Sequence, residues 1–169
     1  TNAGARYDPS TDTWLPTSTI GAPSQRTYHT AVWTGSRMVI YGGYDGPHPC
    51  GNFNCTGLSN GGRYDPVADS WQPVASPTYP IYNHSAVWAG PGVGMIIWGG
   101  RYVDLDSLIF SASGFRYNPT TNTWTQILTP GMPRVRAFHS AVWTGSFMIV
   151  WGGESYYPDW ALTDGGRYA

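Results

Sequence analysis

The sequence predicts an all-β fold made of short antiparallel strands, and three observations lead there. The chain of 169 residues has no Lys and a single Glu, so it lacks the best surface helix formers. Its 22 Gly, 14 Pro, 9 Trp and 12 Tyr favour strands and turns instead. Finally, the apolar residues fall in runs of three to five bounded by Gly, Pro, Asp, Asn, Ser or Thr, the signature of short strands joined by turns.

Self-comparison organises these strands. His29-Thr30-Ala31-Val32-Trp33 returns as His84-Ser85-Ala86-Val87-Trp88 and again as His139-Ser140-Ala141-Val142-Trp143. Met38-Val39-Ile40-Tyr41-Gly42-Gly43 returns at Met95 to Gly100 and at Met148 to Gly153. Arg6-Tyr7-Asp8-Pro9, followed by Asp12-Thr13-Trp14, returns at Arg63 to Trp71 and Arg116 to Trp124, and begins once more at Arg167-Tyr168. Nearly the whole chain is therefore a single unit repeated, with expected boundaries at 1–28 (partial), 29–83, 84–138 and 139–169 (partial).

Each unit reads as four strands. The first alternates His, Ala and Trp on one face with Ser or Thr and Val on the other. A Thr34-Gly35-Ser36 turn leads into a second strand that is apolar on both faces and is expected to be buried on both. The third carries Arg-Tyr, and Asp8-Pro9-Ser10-Thr11-Asp12 turns it into a fourth that carries Trp14. Four antiparallel strands at a period near fifty residues is the pattern of a β-propeller blade. About three blades are present, so the chain is expected to form a half-ring or a segment of a larger propeller. It would be completed by a second copy or by further blades of a longer chain.

The paired glycines after an apolar strand, with Tyr and Trp at fixed distances downstream, resemble the kelch repeat. The long units with Arg-Tyr-Asp-Pro and His-Ser-Ala-Val-Trp are similar to kelch arrays of bacterial secreted or surface proteins. The resemblance implies that the first strand lines the central channel and the fourth lies outermost. It implies a non-enzymatic binding or scaffold module. It also brings two alternatives, a fragment of an enzyme similar to galactose oxidase or a sialic-acid epimerase, and a structural component of an extended surface assembly joined through open blade edges.

Composition narrows the chemistry. Without Lys there is neither a Schiff-base nucleophile nor a P-loop. A net charge of −1 provides no field for nucleic acid. No apolar run approaches the roughly 20 residues of a membrane-spanning helix. Galactose-oxidase chemistry needs a Tyr crosslinked to Cys and two His on copper, yet both Cys lie in one loop. No catalytic residue, metal site or cofactor is predicted.

Residues recurring in every unit are expected to build blades. His29, His84 and His139 should each hydrogen-bond a neighbouring blade's backbone; the alternative is a ring of imidazoles holding a metal. Asp8, Asp12, Asp65 and Asp69 become Asn118 and Asn122 in the third copy, a change that keeps an Asx-turn acceptor and removes the charge, so these are read as turn formers. The repeated Trp are read as inter-blade packing, and Arg6, Arg63, Arg116 and Arg167 as stacking on rings or bonding carbonyls.

Function is then sought where the units differ, in loops on a rigid scaffold. The connections between second and third strands (44–60, 101–113 and 154–164) share a face with those between fourth and first. The candidate binding residues on that face are Arg26, Tyr28, Tyr44, His48, Phe53, Arg101, Tyr102, Asp104, Asp106, Arg134, Arg136, Tyr156, Tyr157 and Trp160, with Asp45, Tyr79, Tyr82, Phe110, Phe138, Glu154 and Asp159 on the same face. Aromatic rings beside Arg and carboxylates suit a protein or glycan partner. Cys50 and Cys55 are close enough in sequence to bridge, which implies an oxidising, extracellular or cell-surface location; His48 with the two Cys could instead supply three metal ligands. Asn54-Cys55-Thr56 and Asn83-His84-Ser85 match the glycosylation sequon.

Overall fold

The computed structural model describes residues 1–46, 57–77, 80–105, 107–128, 130–158 and 160–169. Among them every regular element is a β-strand, and every pairing is antiparallel. The first sheet is β1 (Ala5–Asp8) with β2 (Thr13–Pro16). The second runs β3 (Thr30–Trp33), β4 (Met38–Tyr41), β5 (Gly61–Asp65), β6 (Ser70–Val74). The third runs β7 (Ser85–Trp88), β8 (Met95–Trp98), β11 (Gly114–Asn118), β12 (Thr123–Ile127), with β9 (Arg101–Asp104) and β10 (Ser107–Phe110) forming a separate hairpin between β8 and β11. The fourth is β13 (Ser140–Trp143), β14 (Met148–Trp151), β15 (Gly165–Tyr168). These are blades of a β-propeller segment; β3 lies against β7 and β7 against β13, so the first strands stand side by side.

The hairpin β9–β10 corrects the reading of 101–113 as a plain loop. Tyr102, Val103, Leu108, Ile109 and Phe110 are strand-forming residues, and Val103 and Leu108 cover the buried pair Tyr44 and Tyr82. Leu105 makes the turn at φ 44°, in the left-handed region.

Burial follows the sheet stack. All four residues of β8 are buried, as its two-sided apolar pattern requires, because the third sheet has a neighbour on each face. Between the second and third sheets lie Val39, Tyr41, Val74, Met95, Ile97 and Tyr117, with Trp124 packed against them. Ile96, Trp98, Ile127, Met148 and Val150 fill the next interface. In β14 burial alternates: Met148 and Val150 face the third sheet, whereas Ile149 and Trp151 face outward.

The repeated residues hold sheet to sheet. His84 Nε2 lies 2.8 Å from Thr30 Oγ1, and His139 Nε2 lies 2.7 Å from Ser85 Oγ. The partner is thus the first-strand hydroxyl of the preceding blade, which corrects the expectation of a backbone partner. Each ring also meets an aromatic at the end of the preceding blade's second strand edge-on, His84 on Tyr41 and His139 on Trp98. The paired glycines make room for this. A Cβ on Gly42, which has φ +66°, would come within 2.8 Å of His84 Cε1, and one on Gly99 within 2.7 Å of His139 Cε1.

The turn residues act as read. Asp8, Asp65 and Asn118 accept backbone N–H groups two residues on. Asp12, Asp69 and Asn122 adopt φ of 53°, 47° and 55° and accept the hydroxyls of Tyr7, Tyr64 and Tyr117. Burial and the Asp69 hydrogen bond push the Tyr64 hydroxyl up to about 12, and that same bond holds the Asp69 carboxyl below its ordinary range. Arg6 and Arg63 donate to the carbonyls of Pro66 and Pro119 in the next blade's turn, and Arg167 stacks over Phe147.

Candidate binding face

The residue before each repeated His turns the chain into the first strand. Tyr28, Asn83 and Phe138 occupy this position with φ of 56°, 57° and 57°. The left-handed turn aims each N–H at the preceding blade: Asn83 N–H donates to the Tyr28 carbonyl (3.2 Å) and Phe138 N–H to the Asn83 carbonyl (3.1 Å). For Tyr and Phe this backbone region is costly, and the blade-to-blade hydrogen bonds sustain it. These side chains therefore gather where the first strands begin, at one end of the channel.

There the rings of Tyr28 and Phe138, from blades on either side of the third, meet edge-on at 6.3 Å. Both are about half exposed. The Arg101 guanidinium lies 4.6 Å from the centre of the Phe138 ring and 5.4 Å from that of Tyr82. It also pairs with Glu154 at 3.0 Å, so it is held rigidly over the rings. Beneath, Tyr82 and Tyr44 pack together, and burial raises the Tyr82 hydroxyl above its ordinary range. Asn83, whose backbone bonds to both Tyr28 and Phe138, is buried, and neither atom of its carboxamide has a hydrogen-bond partner among the described residues. A strained turn, an orphaned carboxamide and a cation clamped on exposed rings coincide at one spot, where strain tends to mark function.

The structure brings together only part of the predicted set. Tyr28 and Arg101 join this cluster. Strand alternation sends Tyr102 and Asp104 to the face of β9 opposite Arg101 and Val103. Tyr156 accepts the Phe110 N–H at 2.8 Å and packs edge-on against its ring, while Tyr157 and Trp160 are well exposed on the same loop.

Four predicted residues are structural. Tyr44 is buried under the β9–β10 hairpin and so is absent from the surface. Arg136 is wholly buried: it donates to the carbonyls of Gly152 and Asp164 at 2.9 Å and pairs with the Asp164 carboxylate at 2.6 Å. Arg26 makes the same clip in the second blade, to Gly42, Asn60 and the Asn60 side chain. Arg134, half exposed, pairs with Asp164. His48, Phe53, Tyr79, Asp106, Asp159, Cys50 and Cys55 lie outside the described residues.

Asn83 is the residue missed as a candidate. Its sole signal is positional, since it aligns with Tyr28 and Phe138 one residue before the repeated His. Its burial removes the sequon at Asn83 from display. Among the described residues, no three His, Cys, Asp or Glu side chains form a group that could hold a metal. The His84 and His139 rings are instead buried and neutral; burial pushes them down to about 3 and about 4.

Comparison with known proteins agrees with this construction. The family model for the kelch motif matches residues 25–78. The chain is 30% identical over 122 residues to an F-box/kelch-repeat protein of Arabidopsis thaliana, covering 70% of this chain and 34% of that one. It is 28% identical over 170 residues to the kelch domain-containing protein 3 of Homo sapiens, and equally to that of Bos taurus, covering 94% of this chain and 42% of theirs. The chain thus spans about two-fifths or less of the length of these relatives. With its His, Gly-Gly, Tyr and Trp each serving the same joint in successive four-stranded blades, the chain belongs to the kelch-repeat family.

Proposed function

We propose that the chain is part of a non-enzymatic binding or scaffold module that engages a protein through the channel-mouth face. The observation that carries this reading is the exposed Tyr28–Phe138 pair with Arg101 fixed above it: aromatic rings and Arg, held without rotamer freedom to lose, are the residues on which protein interfaces concentrate their energy. Beneath them the Asn83 carboxamide is buried and without a hydrogen-bond partner among the described residues, so it is not itself a contact for the partner. Relatives named for kelch domains, one also for an F-box, support a module that joins proteins. The reading as a secreted or cell-surface protein rests on Cys50 and Cys55 in one loop, and a glycan is a second ligand class that the exposed rings of Tyr157 and Trp160 suit.

The test is capture of partners by the chain and by the double variant Tyr28→Ala/Phe138→Ala. Loss of specific partners from the double variant but not from Tyr157→Ala supports the mouth as the binding face. Capture that survives the double variant and fails for Tyr157→Ala moves the site to the 154–164 loop.

A further inference from the structure

The outer strands β2, β6 and β12 share one plan and part at one position. They open Thr-Trp-Leu-Pro, Ser-Trp-Gln-Pro and Thr-Trp-Thr-Gln. Pro16 stands opposite Ala5 and Pro73 opposite Gly62, and Gln126 stands opposite Phe115 in the same register. Proline has no N–H, so in a paired strand it sits where that group would point away from the neighbour. The backbone beyond agrees. Thr17 N–H turns inward to the Gly4 carbonyl, whereas Ser18 and Ala75, each two residues past its Pro, send theirs outward to Asp69 and Asn122 of the next blade. By the same alternation Trp124 and Gln126 direct both N–H and C=O away from β11.

Proteins blunt an outer edge with Pro or with charge. The first and second blades use both: Pro16 and Pro73 in the strand, and Asp8, Asp12, Asp65 and Asp69 in the turn that leads into it. The third blade uses neither. Gln126, Asn118 and Asn122 stand at those places, and no charged residue occurs from 117 to 133. Thr123, Thr125 and Gln126 are exposed, and β12 is paired on its β11 side only among the described residues. Because β12 is the outer strand of a four-stranded blade, its edge is open wherever the chain begins or ends.

We propose that the outer edge of β12 pairs antiparallel with β12 of a second copy, about a two-fold axis at Thr125. Self-complementarity selects this occupant. Trp124 N–H donates to the Gln126 carbonyl of the second copy, Gln126 N–H donates to its Trp124 carbonyl, and the symmetry repeats both bonds. Thr125 then faces Thr125 of the second copy, a favourable cross-strand pair. Arg116, beside Thr125 on β11, stands three strand spacings from its copy, about 14 Å, which salt screens. The contact joins two propeller segments rim to rim. It completes no blade and leaves the channel mouth free, since β12 and β7 are opposite edges of the third sheet.

Sedimentation equilibrium of the full chain tests this, at concentrations up to the order of 1 mM because a contact of this size is weak. Gln126→Pro installs the residue that both other outer strands carry, so the blade is kept and the outward N–H is lost. Self-association should weaken about tenfold or more with it, and should be unchanged with Gln126→Ala, which keeps the N–H. A second measurement leaves the strand's hydrogen bonds in place. In a Cys50→Ser/Cys55→Ser background, added diamide should link two copies of Thr125→Cys across the axis. Copies of Thr123→Cys should stay unlinked, because the register sets position 123 opposite Ile127 of the second copy. Equal association of the unaltered chain and Gln126→Pro, or equal linking from positions 123 and 125, overturns the proposal. A chain that stays monomeric overturns it too, and capture of another protein that is lost with Gln126→Pro would then assign the edge to that protein's extended segment.

Discussion

His139 Nε2 lies 2.7 Å from Ser85 Oγ, the hydroxyl directly following the equivalent His84 in the blade before. His84 makes the same contact with Thr30 one blade earlier. The motif His-Ser/Thr is therefore two halves of a joint, each half used by a different blade, and the Nδ1 atoms on the far side of both buried rings have no partner among the described residues. Such rings are stable only when neutral.

This predicts acid sensitivity above the carboxylate range. The folded-state values of His84 and His139 lie below the unfolded value of about 6.5, at about 3 and about 4. Their contribution to stability is present above pH 6.5 and is lost as pH falls through 4 and 3, because the unfolded chain takes up protons first. The slope between pH 6 and 4 should approach about 2.7 kcal/mol per pH unit, two protons' worth. Denaturant melts across this range check it, and His84→Gln/His139→Gln should flatten the slope.

Asn122 isolates the turn chemistry. Its Oδ1 accepts both the Tyr117 hydroxyl and the Ala75 N–H. Asn122→Asp keeps the acceptor and should change stability by less than about 1 kcal/mol, whereas Asn122→Gly keeps the φ of 55° and loses both bonds, costing about 2–3 kcal/mol. Thermal melts of the two variants distinguish acceptor from backbone.

Gly99 and Gly90 separate strain from crowding. Both have positive φ, and an added Cβ meets nothing within 4 Å at Gly90 but meets the His139 ring and the Arg136 carbonyl at Gly99. Gly90→Ala should cost only the left-handed backbone, about 1–2 kcal/mol. Gly99→Ala should exceed it by about 2 kcal/mol or more as the third and fourth sheets are pushed apart, again read by denaturant melts.

Arg136 and Arg134 lie two residues apart and should behave oppositely. Arg136→Ala leaves the Gly152 carbonyl without its guanidinium donor, leaves the Asp164 carbonyl with the Gly152 N–H alone, and should cost about 3 kcal/mol. Arg134→Ala removes one exposed ion pair and should cost under about 1 kcal/mol.

What repeats was legible, and what occurs once was not. His, Gly-Gly, Tyr followed by Asp or Asn, and Trp each recur at three equivalent places, so their roles as joints, turns and packing can be weighed against one another; the Asp-to-Asn exchange alone separates acceptor from charge. The hydroxyl partner of the His carries no separate mark in the sequence, because it lies within the same motif, one blade away. Loop position and charge say nothing of what covers Arg136 and Tyr44: the partner of Arg136 is Asp164, whose counterpart in the second blade is Asn60, a different residue type, and the cover of Tyr44 is β9–β10, which occurs once among the described blades. Asn83 was hidden because its position varies as Tyr, Asn and Phe, and the left-handed backbone common to all three leaves no mark in residue type.

The most direct test of the binding face places a photo-crosslinking residue at position 28 in one sample and at position 67 in another. Val67 is almost fully exposed on an outer turn, far along the blade from the channel mouth, so it controls for accidental contact. Specific protein crosslinks are expected from position 28, fading with Phe138→Ala, and none from position 67. Equal crosslinking from both positions, or crosslinking from position 67 alone, would contradict it.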